Sequence, residues 1–132
     1  MTGLTPYLTL PGTARAALER YREVFGGELV LGTFAEMGRT DGPGGAIGHG
    51  MLQGRVTLFA SDAGEGDDAP TPVAGVMFAL LGTAPAQELE SWFAALAEGG
   101  RVVDPLQPRP WGDHDGQVVD AFGVHWLIGY QG

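Results

Sequence analysis

The chain contains no cysteine, which excludes disulfides, thiolate metal sites and cysteine nucleophiles together. Basic residues are scarce. Seven Lys and Arg stand against sixteen Asp and Glu, and the net charge of −9 repels phosphate backbones and anionic membrane surfaces, so neither nucleic acid nor membrane is expected as a partner. No apolar run reaches the ~18 residues of a membrane span. The N-terminus also lacks the basic and then apolar pattern of a secretory signal, so a soluble cytoplasmic protein is expected. Serine is confined to Ser61 and Ser91, neither of them in a Gly-x-Ser-x-Gly elbow, which argues against serine hydrolysis. The glycine-rich Gly42-Pro-Gly-Gly-Ala46 lacks the Lys-Ser/Thr ending and the following helix of a phosphate loop, and reads as a mobile loop.

What is present fits one compact domain: 132 residues, 44% apolar and 17% charged, enough to bury a modest core. Glycine and proline punctuate short apolar runs. Leu4 to Leu10 reads as a strand stopped by Pro11-Gly12, and Thr13 is placed to cap a helix running to Phe25. Ala14, Ala17, Leu18, Tyr21, Val24 and Phe25 recur at helical spacing, and Gly26-Gly27 ends the helix. Strands follow at Glu28 to Phe34, Ala46 to Gln53 and Arg55 to Ser61.

The order then recurs. Val73 to Leu81 is a strand apolar on both sides. Thr83 and Pro85 open a helix carrying Leu89, Trp92, Phe93 and Leu96, which stops at Gly99-Gly100. Arg101 to about Asp104 begins another strand. Gln117 to Val119, a turn over Asp120 to Gly123, and Val124 to Tyr130 form a closing hairpin. Repetition at half the chain length predicts an α+β fold of two βαβββ modules, about 1–62 and 73–132. Each sheet is expected to carry a helix on one face, with the other faces curving together around a cleft.

The ending Trp111-x4-Gly116-x-Val118-x-Asp120-x-Phe122-Gly123-x-x-Trp126 resembles the last hairpin of the PhnB-like branch of the vicinal oxygen chelate superfamily, which groups glyoxalase I, extradiol dioxygenases and bleomycin and fosfomycin resistance proteins. The opening Pro6 to Glu28, with Tyr21 and Phe25-Gly26-Gly27, is similar to the family's first strand and helix. Phe34-Ala-Glu-Met37 and His49-Gly-Met-Leu-x4-Thr57-Leu-Phe-Ala-Ser-Asp62 resemble its middle segments. The resemblance implies a glyoxalase/bleomycin resistance/dioxygenase-like fold and a homodimer.

In the family's metal-using members, the first and fourth strands of each module supply His, Gln or Glu to one divalent ion. That pattern falls here on Pro6, Phe59, Val76 and Leu127, none of which offers a lone pair to a cation, so no metal site and no cofactor are expected. His125 shares strand parity with Leu127 and His49 opens a strand; each is a pocket candidate as well as a plain hydrogen-bonded histidine. Asp113-His114-Asp115 could hold a metal by composition, and Asp62 with Glu65, Asp67 and Asp68 could bind calcium through oxygen alone, but both stretches read first as solvated loops. Phe59, Phe78 and Trp111 are candidates for an apolar pocket wall, against the reading that they fill core or a dimer interface. Two functions stay open. One is capture of a small, partly apolar molecule in a metal-free cleft, with substrate-binding candidates Phe59, Phe78, Trp111, His125 and His49. The alternative is a lyase, isomerase or dioxygenase-type enzyme acting on a small metabolite through a histidine acid/base or a non-standard metal site.

Overall fold

The computed structural model describes residues 4–66 and 75–132, and the chain divides into two compact units, Met1–Thr71 and Pro72–Gly132. The first unit runs β1 (Tyr7–Leu10), α1 (Ala14–Phe25), β2 (Glu28–Thr33), β3 (Ile47–Gln53) and β4 (Leu58–Asp62), with sheet order β1-β4-β3-β2. The second runs β5 (Phe78–Leu81), α2 (Ala86–Ala97), β6 (Arg101–Pro108), β7 (Asp113–Val119) and β8 (His125–Gln131), with sheet order β5-β8-β7-β6. The two topologies are the same: a first strand parallel to the last, the rest antiparallel. The expected α+β fold of two βαβββ modules is therefore present, with open sheets.

In each unit the pleat sorts side chains by parity. Leu58, Ala60 and Asp62 of β4 are buried, and their neighbours in register, Leu10, Gly50 and Leu52, are buried with them on the side where α1 packs. Ala14, Ala17, Leu18, Tyr21 and Phe25 form the facing stripe of α1. In the second unit Leu80, Val118, Trp126 and Ile128 meet Leu89, Trp92, Phe93 and Leu96 of α2. Each large apolar side chain so buried contributes about 1.5–3 kcal/mol.

Several expectations need correction. Thr13 precedes α1 but makes no side-chain cap. The Ala14 N–H instead donates to Asp62 Oδ1 at 2.9 Å, and Asp62 Oδ2 accepts the Ile47 N–H at 2.9 Å. Asp62, taken as part of a solvated acidic loop, is thus a buried clamp joining the start of α1 to the start of β3; Asp67 and Asp68 lie outside the described residues. Strand β5 is four residues long, not the nine of Val73 to Leu81. Residues 73 and 74 lie outside the described residues, Val76 and Met77 precede the strand, and Leu81 is 56% exposed, so β5 is buried on one side only. Strand β6 runs on to Pro108, and β7 starts at Asp113 instead of Gln117. Irregular pairing at Asp104 lets β6 carry its prolines through the sheet edge, where a missing N–H costs no ladder bond. Pro85 precedes α2, which ends at Ala97.

A second buried carboxylate organises the β7–β8 turn. Asp120 Oδ1 accepts the N–H groups of Phe122 and Val124 at 2.8 and 3.1 Å, while Oδ2 accepts Trp126 Nε1 at 2.8 Å. Trp126 is thereby both core and anchored.

Two outcomes follow for denaturant unfolding. Asp62→Ala leaves two buried N–H donors without their acceptor and lowers stability by about 2–4 kcal/mol. Gly27 has φ 108°, and a Cβ there would lie 2.6 Å from the Gln53 carbonyl oxygen. Gly27→Ala is expected to cost about 1–3 kcal/mol, whereas Gly38→Ala, also at positive φ but with open space around it, costs less.

Candidate functional site

Each sheet has one face that its helix does not cover, and Phe59, His49 and His125 among the sequence candidates lie on these faces. In the first unit the alternation that buries Leu58 and Ala60 turns Phe59 the other way, next to Tyr7 across the parallel β1–β4 pair and Met51 across β3–β4. His49 shares that face two residues along β3. The three rings form a cluster: Tyr7 stacks on His49 at 5.6 Å, and Phe59 meets His49 edge-on at 5.6 Å and Tyr7 edge-on at 6.4 Å. The Tyr7 hydroxyl and His49 Nδ1 are hydrogen-bonded at 3.1 Å, which fixes the imidazole and leaves Nε2 as its other polar atom. Val30, on the same face, is 52% exposed. The result is an apolar, aromatic surface with a single imidazole set into it.

The helix-free face of the second sheet is polar by contrast. His125 Nε2 lies 2.9 Å from Gln117 Oε1. Beside Gln117, the Arg109 guanidinium donates through Nη2 to Asp104 Oδ2 at 2.6 Å and through Nε to Asp115 Oδ1 at 2.8 Å, and Gln107 Nε2 donates to the other oxygen of Asp104 at 2.9 Å. The hydrogen bond to Asp104, and then that to Asp115, raise the Arg109 pKa above its ordinary value. Toward the end of the same face, Leu81, Leu127 and Gln131 with Asp113 and Asp115 line a cavity of 460 Å³, to which Tyr130 and His114 contribute from the helix side of the strand ends. Its rear wall is braced. Tyr130 donates to Glu90 of α2 at 2.7 Å, a bond that raises the phenol pKa, and stacks on His114 at 4.8 Å. His114 Nδ1 is buried there without a hydrogen-bond partner among the described residues.

Phe59, His49 and His125 therefore lie on helix-free faces, the first two in contact with each other. Phe78 and Trp111 do not join them. Phe78 pairs with Trp126, not Leu127, and meets the buried Trp126 ring edge-on at 5.6 Å, on the side of the sheet where α2 packs. Trp111 stands 68% exposed on the β6–β7 turn. Asp113, His114 and Asp115 belong to strand β7, with both carboxylates on one side and the imidazole on the other. Sequence reading passed over Tyr7, Gln117, Asp104 and Arg109. Gln117 could have been found from its parity across the hairpin with Leu127; Tyr7 depends on a parallel register that no local pattern encodes.

Register also decides whether a divalent cation fits. Phe59 lies opposite Tyr7, and Leu127 opposite Ala79, so Pro6 and Val76, which the family pattern suggested, precede their strands. Of the four side chains so paired, only the Tyr7 phenol carries a lone pair, and its oxygen is bonded to His49. Among the described residues no three His, Asp or Glu side chains converge as a metal-binding group. This donor set does not fit a resident divalent ion, which needs nitrogen or carboxylate oxygen from several sides.

Comparison with known proteins places this geometry in a family. A family model described as the Glyoxalase/Bleomycin resistance protein/Dioxygenase superfamily matches residues 7–128. The Escherichia coli protein YjdN is 30% identical over 95% of this chain and 92% of its own length. The crystal structure of protein PA1353 from Pseudomonas aeruginosa matches with a TM-score of 0.80 at 32% identity, covering 99% of this chain and 98% of that one. A Bacillus cereus PhnB protein, named a putative 3-demethylubiquinone-9 3-methyltransferase, shares the fold with a TM-score of 0.80 at 22% identity over 98% of this chain and 99% of its own. The chain belongs to the glyoxalase/bleomycin resistance/dioxygenase superfamily and has a PhnB protein among its structural neighbours.

Proposed function

We propose that this protein binds a small, partly apolar molecule on a helix-free sheet face, in the cytoplasm and without a resident metal ion. The observation that carries this reading is the Tyr7–His49–Phe59 cluster. It places stacked and edge-on rings, with one imidazole among them, where the family pattern would place ligating side chains. Aromatic surface with few, fixed polar groups favours a planar or hydrophobic body oriented by one or two hydrogen bonds. The second sheet, taken by itself, offers a separate set of groups in the His125–Gln117 pair and the cavity beside Leu127. The homodimer implied by the family belongs to the same reading. It predicts a solution mass of twice one chain by light scattering, and a mass of one chain would remove it.

One contact favours a second reading. The Tyr7–His49 hydrogen bond would hold an imidazole in a single orientation, as a general acid or base requires. In that case the chain would turn over a small metabolite in place of retaining it.

A thermal-shift screen of chelator-treated protein against small metabolites separates the two. Capture predicts compounds that raise the melting temperature equally with and without chelator and are recovered unchanged; a ligand at about 100 times its Kd adds about 2.7 kcal/mol. Phe59→Ala, which removes aromatic wall from an exposed face, should weaken such a compound about 10-fold or more while the fold persists. Stabilisation that vanishes with the chelator contradicts metal-free capture. Conversion of the compound that is lost in His49→Ala replaces capture with the enzymatic reading.

A further inference from the structure

We infer that the cavity on the second sheet recognises an organic cation, an ammonium group attached to a compact apolar body. This rests on the small-molecule reading above and adds to it the chemical class of the ligand.

The two carboxylates of the cavity are in different states of engagement. Asp115 is held by Arg109, which also holds Asp104. Asp113, half-buried at the start of β7, has no hydrogen bond and no ion pair on its side chain among the described residues. A partly desolvated carboxylate without a partner is an unfavourable arrangement, and an incoming ammonium relieves it. A neutral ligand would bury the carboxylate further with no compensation. An anionic ligand would meet Asp113 directly. Arg109, the cation beside the cavity, is already paired with two aspartates, which offset its charge.

The remaining walls specify the rest of the molecule. Leu81, 56% exposed, and the half-buried Leu127 form an apolar side, and the volume of 460 Å³ falls within the range that encloses a small organic molecule. Tyr130 is fixed by Glu90 and by stacking on His114, so that wall does not have to be ordered by the ligand. Gln131 adds a neutral donor and acceptor near Asp113, with which it pairs across β7–β8. The chain's net charge of −9 raises the local concentration of cations in general but selects none. Selection comes from one free carboxylate beside two leucines.

Phenethylammonium, phenethyl alcohol and hydrocinnamate share an aromatic body and differ in charge, and amide chemical-shift titration by NMR reads both affinity and location on the full chain. The expected result is that the ammonium shifts Leu81, Asp113 and Leu127 and binds at least about 10-fold more tightly than the alcohol, with hydrocinnamate weakest. Asp113→Asn, which keeps shape and removes charge, should bring ammonium and alcohol to within about 2-fold of each other. Glu23→Gln removes one negative charge equally, from the first unit, and should leave the preference intact. Equal affinity of ammonium and alcohol for the unmodified chain overturns the assignment, as does a preference that survives Asp113→Asn or is lost in Glu23→Gln. If the alcohol binds at the second sheet and the ammonium gains nothing, small-molecule binding stands and the cation assignment fails. If none of the three shifts the second sheet, the cation assignment fails, while the aromatic cluster of the first sheet remains a separate test of capture.

Discussion

The parallel pairing of the first and last strand in each unit is the constraint on which the rest depends. Tyr7 opposite Phe59, and Ala79 opposite Leu127, set which residues share a face, and a slip of one residue would exchange the two faces entirely. With the observed register, Leu58, Ala60, Trp126 and Ile128 fill the helix-covered cores, and Phe59, His49, His125, Gln117 and Leu127 are turned away from them. Chemistry is left on one side of each sheet because packing has taken the other.

The repeated topology is secured by different devices in its two copies. In the first unit, Asp62 ends the last strand and reaches two backbone donors, one at the helix start and one at the start of β3. In the second, the equivalent work falls to Asp120 in the turn before the last strand, which holds that turn and the indole of Trp126. Both are buried carboxylates whose oxygens are matched by N–H donors, the condition under which burial of a charge is tolerated. The divergence extends to the helix-free faces: aromatic in the first sheet, polar and charged in the second.

Much of the fold was legible because helix stripes and Gly-Gly stops are local signals. The Ala14 to Phe25 face and the Leu89 to Leu96 face packed as their spacing indicated, and the closing hairpin turned at Asp120 to Gly123. What was not legible was set by partners distant in sequence. Phe78 was assigned to the pocket by counting along its own strand, but its face is determined by pairing with Trp126. Asp62 looked solvated because Glu65, Asp67 and Asp68 follow it, although its parity with Leu58 and Ala60 already pointed inward. Arg109 lies between Pro108 and Pro110, beyond the strand expected from Arg101 to about Asp104, and closes on β7 through Asp113 and Asp115.

The central claim is that register places carbon, and one phenol already bonded to an imidazole, where metal-using members of the superfamily present nitrogen and oxygen. Anomalous diffraction from crystals of this chain grown with manganese or zinc tests it most directly. The account predicts no ion coordinated by side chains of Tyr7, Phe59, Ala79 and Leu127 or of their strand neighbours. A cation bound on those helix-free faces by several side chains of this polypeptide would contradict it.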